Sequence, residues 1–187
     1  VWAAPTADGE KEAFVTVEFS TALHPIMNAN SKVTVADMVA DYKASGATYP
    51  ADVYKDKGAA TIEEFCKILY EEARDEGVDP GVVYVQAMNE TGYLRFGGQV
   101  DPTQCNFSGL GATDDGAAGH TFASVREGLR AQVQHLRLYA DPRMADFAGN
   151  TSLLKHPLVD PRFSSWMAGW CPYVEGLGSR WASVSSY

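Results

Sequence analysis

A single carboxylate closes an otherwise apolar run of the sequence, because Glu90 ends the segment that begins at Val82. A charged side chain buried there without a partner would cost several kcal/mol of folding free energy. Keeping the proton avoids that cost, so burial would raise the pKa of the carboxyl group. A protonated carboxyl beside a cleft can act as a general acid. The same run is equally compatible with a solvated residue at the end of a helix that stops at Gly92.

The segment that follows Glu90 combines glycines with aromatic residues. Between residues 91 and 122 the glycines are interleaved with Tyr93, Phe96, Phe107 and Phe122. Glycine allows backbone N–H groups to come close to a ligand. Sugar rings present apolar faces to aromatic side chains, and acetamido groups need hydrogen-bond partners. This composition favours a sugar-binding loop directly after the candidate acid.

A cysteine nucleophile is a second catalytic option. Cys105 precedes His120 and His135, either of which could act as its base. No helix N-terminus clearly follows Cys105 to lower the pKa of its thiol. His135 falls in a predicted helix and is expected on the surface or at the edge of the core. The pattern is therefore weak evidence for this chemistry.

Metal and cofactor chemistry have little support in the sequence. The histidines are dispersed, without the HExxH spacing of a metal site. The three cysteines form no CxxC pair; Cys66 is expected in the core, whereas Cys105 and Cys171 could form a disulfide in a secreted protein. The Gly109–Gly111 segment lacks the Lys-Ser/Thr pair of a phosphate-binding loop. We expect neither a metal nor an organic cofactor.

Composition limits the classes of partner. The chain has 187 residues, with 24 acidic and 15 basic side chains and a net charge of −9. An acidic chain is a poor match for nucleic acid or for an anionic membrane surface. No run approaches the roughly 20 apolar residues that cross a bilayer. We expect no nucleic-acid partner, no membrane insertion and a monomer.

Helix signals predict the elements that must position Glu90. A helix is expected from Thr34 to Gly46, and a capping box at Thr61 starts another that ends at Gly77. Asp79 followed by proline starts the helix that leads to Glu90, and its apolar character nearly all round predicts a place in the middle of the core.

The rest of the chain frames these helices. A second capping box, Ser124 with Glu127, starts a long amphipathic helix. Residues 1–30 look like an N-terminal extension or linker, with one short strand over Val15–Phe19. No signal peptide is visible, and because the chain lacks an initiator Met we expect an excised or processed form.

Four segments in order resemble a known enzyme family. The run that ends in Glu90-Thr91-Gly92-Tyr93 resembles the A-x-x-E-[ST]-G-[WY] motif of the endo-β-N-acetylglucosaminidases of glycoside hydrolase family seventy-three, which are bacterial peptidoglycan hydrolases. The likeness covers roughly residues 60–187. Its segments are Gln86–Tyr93, Asn106–Gly111, Phe122–Gln132 and Pro172–Tyr187.

The resemblance implies a mainly α (α+β), lysozyme-like fold with a substrate cleft between two lobes, formed by residues 31–187. It implies a secreted enzyme of the bacterial cell wall whose partner is the peptidoglycan glycan strand. The reaction would be cleavage of the β-1,4 bond on the reducing side of N-acetylglucosamine. Glu90 would be the general acid that protonates the glycosidic oxygen.

The resemblance also implies a substrate-binding set. Tyr93 and Phe107 would line the sugar cleft. Asn106 would fix the following loop, in which Gly109 and Leu110 would offer backbone groups to an acetamido side chain. The terminal tyrosine, Tyr187, would reach the active site.

The sequence departs from the family where many members carry a β-hairpin with a second glutamate. Residues 112–121 fill that space and contain no glutamate, and Glu127 is explained by its capping box. We therefore expect assistance from the N-acetyl group of the substrate, or a water held by Asp115 or Tyr187. A lytic transglycosylase of the same fold and a non-catalytic cell-wall-binding module are the alternative functions.

Overall fold

The structure, a computed structural model, describes residues 2–4, 13–15, 23–98, 100–112, 118–178 and 180–181. Its fold is mainly helical, as predicted, with few residues in strands. Two short strands, β1 (Trp2–Ala4) and β2 (Ala13–Val15), pair antiparallel with Ala3 opposite Phe14. The α-helices are α1 (Val35–Ala44), α2 (Ala51–Tyr54), α3 (Ile62–Glu76), α4 (Pro80–Thr91) and α5 (Val125–Ala140).

Short 3-10 helices connect these elements and make up much of the C-terminal third of the chain. They cover Lys55–Lys57, Pro102–Gln104, Pro142–Gly149, Thr151–Leu153, Ser165–Met167 and Val174–Gly176. Within the described ranges, none of the helices is both long and apolar enough to cross a lipid bilayer.

The predicted helix starts are confirmed by their cap hydrogen bonds. Thr34 and Thr61 each form a capping box, the first with Asp37 and the second with Glu64. Asp79 caps α4, with Pro80 at the first helical position. At the start of α5, Ser124 accepts a hydrogen bond from the backbone N–H of Glu127. These bonds satisfy backbone donors that a helix start leaves unpaired.

Helices α3 and α5 pack against each other at the centre of the domain. Their contact contains buried ion pairs as well as apolar side chains. The buried carboxylate of Glu72 on α3 accepts hydrogen bonds from Arg126 and Arg130 on α5, at 2.7 and 2.8 Å. Glu76, one turn further along α3, pairs with Arg137, which lies nearer the C-terminal end of α5. Removing one partner of such a pair would leave an uncompensated buried charge and would strongly destabilise the protein.

Helix α4 is less enclosed than its sequence predicts. Val83 and Ala87 are fully buried, but Val85 is 64% exposed. Val82, Val85 and Asn89 line a cavity of about 500 Å³ on one side of the helix. The expectation of a helix buried all round is therefore wrong, because the neighbouring segments cover only part of the circumference of α4.

The N-terminal segment contributes to the packed domain from residue 24 onward. Ile26 is fully buried, its N–H donates to Pro172, and its carbonyl accepts from the N–H of Asp79. Of the predicted strand over Val15–Phe19, Val15 lies in β2, and residues 16–19 lie outside the described residues. The pairing of Cys105 with Cys171 is wrong, since all three cysteines are free and buried.

Candidate active site

Glu90 lies in the last turn of α4, and its side chain is exposed. The helix ends at Gly92, which adopts the left-handed conformation that favours glycine. The expectation of a carboxyl buried among apolar side chains is therefore wrong. The local geometry is that of the alternative, a solvated residue at a helix end with Gly92 as the stop.

The backbone directly after Glu90 is held in an uncommon conformation. Tyr93, Leu94 and Phe96 all have positive φ, at 58°, 58° and 55°. Non-glycine residues rarely adopt this region, and such strain clusters at functional sites. Hydrogen bonds from Tyr93 N–H to Met88 O (2.8 Å) and from Phe96 N–H to Thr91 O (2.7 Å) stabilise the turn.

Tyr93, the first predicted sugar-binding residue, is half-buried beside α1. Its ring centroid lies 6.2 Å from that of Tyr42. Its hydroxyl donates to Oδ2 of Asp41 at 3.3 Å. Desolvation, reinforced by the charge and hydrogen bond of Asp41, raises the pKa of the Tyr93 hydroxyl. The hydroxyl therefore stays a donor across the neutral pH range.

Asn106 organises the glycine-containing loop that follows it. Its side chain is 1% exposed, and its Nδ2 donates to the carbonyls of Leu110 (2.9 Å) and His120 (3.1 Å). Its Oδ1 accepts from the N–H of Leu110 at 3.0 Å. Both backbone groups of Leu110 are thus engaged by one side chain. Leu110 is consequently not placed to offer them to a ligand, which corrects its predicted role.

Gly109 faces Glu90. The Oε2 atom of Glu90 lies 3.8 Å from the position that a Cβ atom would take on Gly109, whose φ is +66°. The fold therefore brings the end of α4 and the Asn106–Gly111 loop together.

Phe107, predicted to line the sugar cleft, is instead a core residue. It is fully buried, and its ring packs edge-to-face on Phe65 at 5.0 Å and on Tyr54 at 5.7 Å. Alternation of glycine and aromatic residues in the sequence does not distinguish an aromatic ring that faces a ligand from one that faces the core.

A short antiparallel pairing joins residues 110–112 to residues 118–120. The N–H of His120 donates to the carbonyl of Leu110 at 2.8 Å, and Ala112 forms an isolated bridge with Ala118. Asp115 lies between these two positions and outside the described residues. Its predicted role in holding a water stays a prediction.

The C-terminal segment reaches the same loop. Nε1 of Trp181 donates to the carbonyl of Ser108 at 3.1 Å, and its ring packs edge-to-face on His135 at 5.0 Å. His135 is buried, with Nδ1 2.7 Å from Asp160, so its predicted place on the surface or core edge is wrong. Tyr187 lies outside the described residues.

The cysteine alternative is not supported by the structure. Cys105 is fully buried, and desolvation raises the pKa of its thiol to about 11. A thiol with that pKa carries almost no thiolate at neutral pH, and the thiolate is the nucleophile. Among the described residues, no group of three or more His, Cys, Asp or Glu side chains could hold a metal ion.

Comparison with known proteins places the chain in a family. Residues 66–169 match the glucosaminidase family, described as mannosyl-glycoprotein endo-beta-N-acetylglucosaminidase. Because the match spans more than half of the 187 residues, the chain belongs to this family. It is a glycoside hydrolase, with peptidoglycan as its general substrate, and its mainly helical fold fits the lysozyme-like architecture expected.

One relative covers nearly the whole chain. An uncharacterized protein of Borreliella burgdorferi is 29% identical over 176 residues, which are 91% of this chain and 78% of the relative. No solved structure matches the chain significantly. The family match includes Glu90 and Gly109, whereas α1 lies before its first residue.

Proposed function

We propose that this protein cleaves the β-1,4 bond on the reducing side of N-acetylglucosamine in the peptidoglycan glycan strand, with Glu90 as the general acid. The observation that carries the proposal is the position of Glu90 in the family-matched region, at the end of α4 and opposite Gly109. Burial does not contribute to the argument, because Glu90 is exposed in the free protein.

Exposure is compatible with acid catalysis because the glycan itself must reach the carboxyl group. In the proposed complex the bound sugars displace water from Glu90, and desolvation favours the protonated form of a carboxyl group. Glu90 then donates its proton to the glycosidic oxygen while positive charge develops at the anomeric carbon of the N-acetylglucosamine unit. The leaving sugar departs as an alcohol.

The proposed substrate cleft lies between the segment after Glu90 and the Asn106–Gly111 loop. Tyr93 offers a half-buried ring on one side, and Gly109 offers a surface without a side chain on the other. Asn106 acts indirectly, by holding the loop through Leu110. Backbone approach is possible at Gly109 because no Cβ separates the loop from the ligand.

Tyr187 is proposed as a further residue at this cleft. Trp181 is hydrogen-bonded to Ser108, next to Gly109 in the sequence. The six residues that follow Trp181 and end at Tyr187 can span at most about 20 Å when extended. That reach is sufficient for the terminal tyrosine to approach a glycan bound beside the loop.

We propose that the second half of the reaction uses the N-acetyl group of the substrate, or a water held by Asp115 or Tyr187. The two routes predict different products. Participation of the N-acetyl group gives retention of configuration at the anomeric carbon, whereas a single attack by water gives inversion. NMR of the first-formed product distinguishes them, and inversion would reject N-acetyl participation.

The proposed place of action is the bacterial cell wall, after secretion, with the protein working as a monomer.

Replacement of Glu90 tests the function. Glu90→Gln should lower the rate of turbidity loss of purified walls by about 10²–10⁴-fold, because that is the contribution of general-acid catalysis, while wall binding in a pull-down persists.

The matched control is Glu63→Gln, which changes another exposed carboxylate on the neighbouring helix α3. It should clear walls at the wild-type rate. Equal and negligible clearance by wild type and Glu90→Gln, with retained binding, would instead identify a non-catalytic cell-wall-binding module. Full clearance by Glu90→Gln would remove Glu90 from the catalytic role.

A further inference from the structure

We propose that Asp41 on α1 is a positioning residue of the active site, which holds Tyr93 and thereby the backbone that follows Glu90. This inference rests on the proposed role of Glu90 as the acid. Asp41 is an exposed residue near the end of α1, far from Glu90 in the sequence and before the first residue of the family match.

One carboxylate oxygen of Asp41 accepts hydrogen bonds from a residue before Glu90 in the sequence and from a residue after it. Oδ2 accepts a hydrogen bond from the hydroxyl of Tyr84 at 2.8 Å and from the hydroxyl of Tyr93 at 3.3 Å. Tyr84 lies on α4, the helix that carries Glu90, and Tyr93 lies in the segment just after it. We call these three residues, Asp41, Tyr84 and Tyr93, the Asp41 cluster.

Neighbouring residues of α1 add contacts to the same segment. The hydroxyl of Tyr42 donates to the carbonyl of Tyr93 at 3.3 Å, and the two rings lie 6.2 Å apart. Nη2 of Arg95 donates to the carbonyl of Ser45, which caps the C-terminus of α1. The end of α1 therefore contacts the backbone, the ring and the hydroxyl of one residue, Tyr93, and the side chain of Arg95.

The segment needs such contacts because its backbone is strained. Tyr93, Leu94 and Phe96 adopt left-handed conformations, which are unfavourable for L-residues because the Cβ atom comes too close to the backbone. Such conformations persist only when the surroundings determine them. Without the hydrogen bond from its hydroxyl to Asp41, the Tyr93 side chain is held less firmly, and the turn that ends α4 can relax. The expected consequence is a misplaced Glu90 carboxyl group rather than an unfolded protein.

The simpler explanation is that Asp41 only satisfies two tyrosine hydroxyls. Tyr84 is 4% exposed, so its hydroxyl needs an acceptor in the folded state. The two explanations differ in which bond matters for the reaction. If the role of Asp41 is purely structural, removal of the shorter hydrogen bond, from buried Tyr84, should have the larger effect. If Asp41 positions the active site, removal of the hydrogen bond from Tyr93, next to the acid, should have the larger kinetic effect.

The test compares Asp41→Ala, Asp41→Asn, Tyr93→Phe, Tyr84→Phe and the double variant Asp41→Ala/Tyr93→Phe. Each is assayed for kcat and KM on a soluble glycan fragment of peptidoglycan, and for Tm. Tyr93→Phe keeps the ring that would contact a sugar, so it removes the hydroxyl alone. Lys43→Ala, an exposed change on the same helix that breaks a surface pair with Glu63, is the control and should leave kcat and KM unchanged.

We expect Asp41→Ala and Tyr93→Phe each to lower kcat about tenfold with little change in KM, since displacement of a catalytic group by less than an ångström has effects of that order. The double variant should be no slower than the slower single variant, because both remove one interaction. Asp41→Asn should restore most of kcat, since its amide oxygen still accepts a hydrogen bond. Tyr84→Phe should lower Tm more than Tyr93→Phe but lower kcat less.

Losses of kcat that follow Tm across the set, or losses that multiply in the double variant, would overturn the proposal. Glu90→Gln, assayed in parallel, separates this outcome from failure of the proposed function. If Glu90→Gln is inactive and the losses of kcat at Asp41 and Tyr93 multiply, only the positioning role is rejected. If Glu90→Gln is active, Glu90 is not the general acid, and the proposed positioning role of Asp41 fails with it.

Discussion

The carboxylate of Glu90 faces the backbone of Gly109, with Oε2 3.8 Å from the position where an alanine at 109 would carry its Cβ atom. This approach joins the end of α4 to the loop that Asn106 holds in place. The space beside the proposed acid is therefore kept open by a residue without a side chain.

Replacement of Gly109 by alanine should reduce activity more than stability. The methyl group fits in the free protein at ordinary contact distance, but it occupies space that the glycan needs beside Glu90. The left-handed φ of +66° adds a stability loss of roughly 1–2 kcal/mol. We expect wall clearance to fall about tenfold or more, as misplacement of a substrate at the reacting group does.

Gly58→Ala is the control for Gly109→Ala. Gly58 is also left-handed, with φ +95°, and nothing lies within 4 Å of its added Cβ atom. It should lose comparable stability and keep wild-type clearance. Equal activity losses in the two variants would show that backbone strain, and not the space beside Glu90, explains the effect.

The helices were predictable because their signals are local. The capping boxes at Thr34 and Thr61 and the Asp79-Pro80 start each depend on residues within one turn. Such hydrogen bonds form in the same way whatever packs against the helix, so their residue types can be read directly from the sequence.

The burial of individual side chains was less predictable because it depends on distant segments. Phe107 faces the core because α3 supplies Phe65 beside it, and Val85 is exposed because none of the described elements covers that side of α4. Glu90 is exposed for the same kind of reason. The link between Asp41 and Tyr93 has no local signal at all, since it joins α1 to a loop after α4.

Gly128 lies inside α5, where alanine would normally be preferred by about 1 kcal/mol. Here the added Cβ atom would lie 1.8 Å from the carbonyl oxygen of Cys105. We therefore expect Gly128→Ala to destabilise the protein by about 3 kcal/mol, at the upper end for overpacked sites. Urea unfolding followed by circular dichroism measures the difference.

The comparison for Gly128→Ala is Gly149→Ala, at an exposed position where nothing lies within 4 Å of the new Cβ atom. That variant should stay within about 0.5 kcal/mol of wild type. A Gly128→Ala protein as stable as wild type would show that the carbonyl group of Cys105 does not pack closely against Gly128 on α5.

The cysteines should be unreactive in the native protein. Burial raises the pKa of the Cys66 thiol to about 12 and that of Cys105 to about 11, and the pKa of Cys171 is also raised. A thiol reagent at about pH 8 should label three thiols in denaturant and label the native protein only slowly. Rapid modification of one native thiol would contradict this result.

Cys105→Ala provides the functional counterpart of the labelling experiment. It removes a buried sulfur, so a stability loss of about 1 kcal/mol is expected from the cavity. Wall clearance measured well below the Tm should stay at the wild-type level. Loss of clearance in a folded Cys105→Ala protein would return the cysteine to the list of candidate nucleophiles.

Stability should decline at alkaline pH. Burial raises the pKa values of Tyr49, Tyr54 and Tyr84, and the hydrogen bond and charge of Asp41 raise that of Tyr84 further. The folded-state pKa values thus exceed the unfolded value of about 10, so the stability contribution is complete below about pH 10 and is lost as the pH rises above it.

Urea unfolding from about pH 8 to about pH 11, with tyrosinate absorbance recorded on the same samples, measures this decline. The unfolding free energy should fall together with the appearance of tyrosinate in the unfolded state. A free energy that is constant across this range would contradict the raised pKa values.

Analysis of the chain ends released from peptidoglycan tests directly which bond the enzyme cleaves and whether Glu90 donates the proton. Purified sacculi are digested with wild type and with Glu90→Gln, and the soluble products are reduced and examined by mass spectrometry. We expect fragments with N-acetylglucosamine at the reducing end from wild type, and almost none from Glu90→Gln. Products that end in 1,6-anhydromuramic acid would contradict it and identify a lytic transglycosylase, and unchanged products from Glu90→Gln would exclude Glu90 as the proton donor.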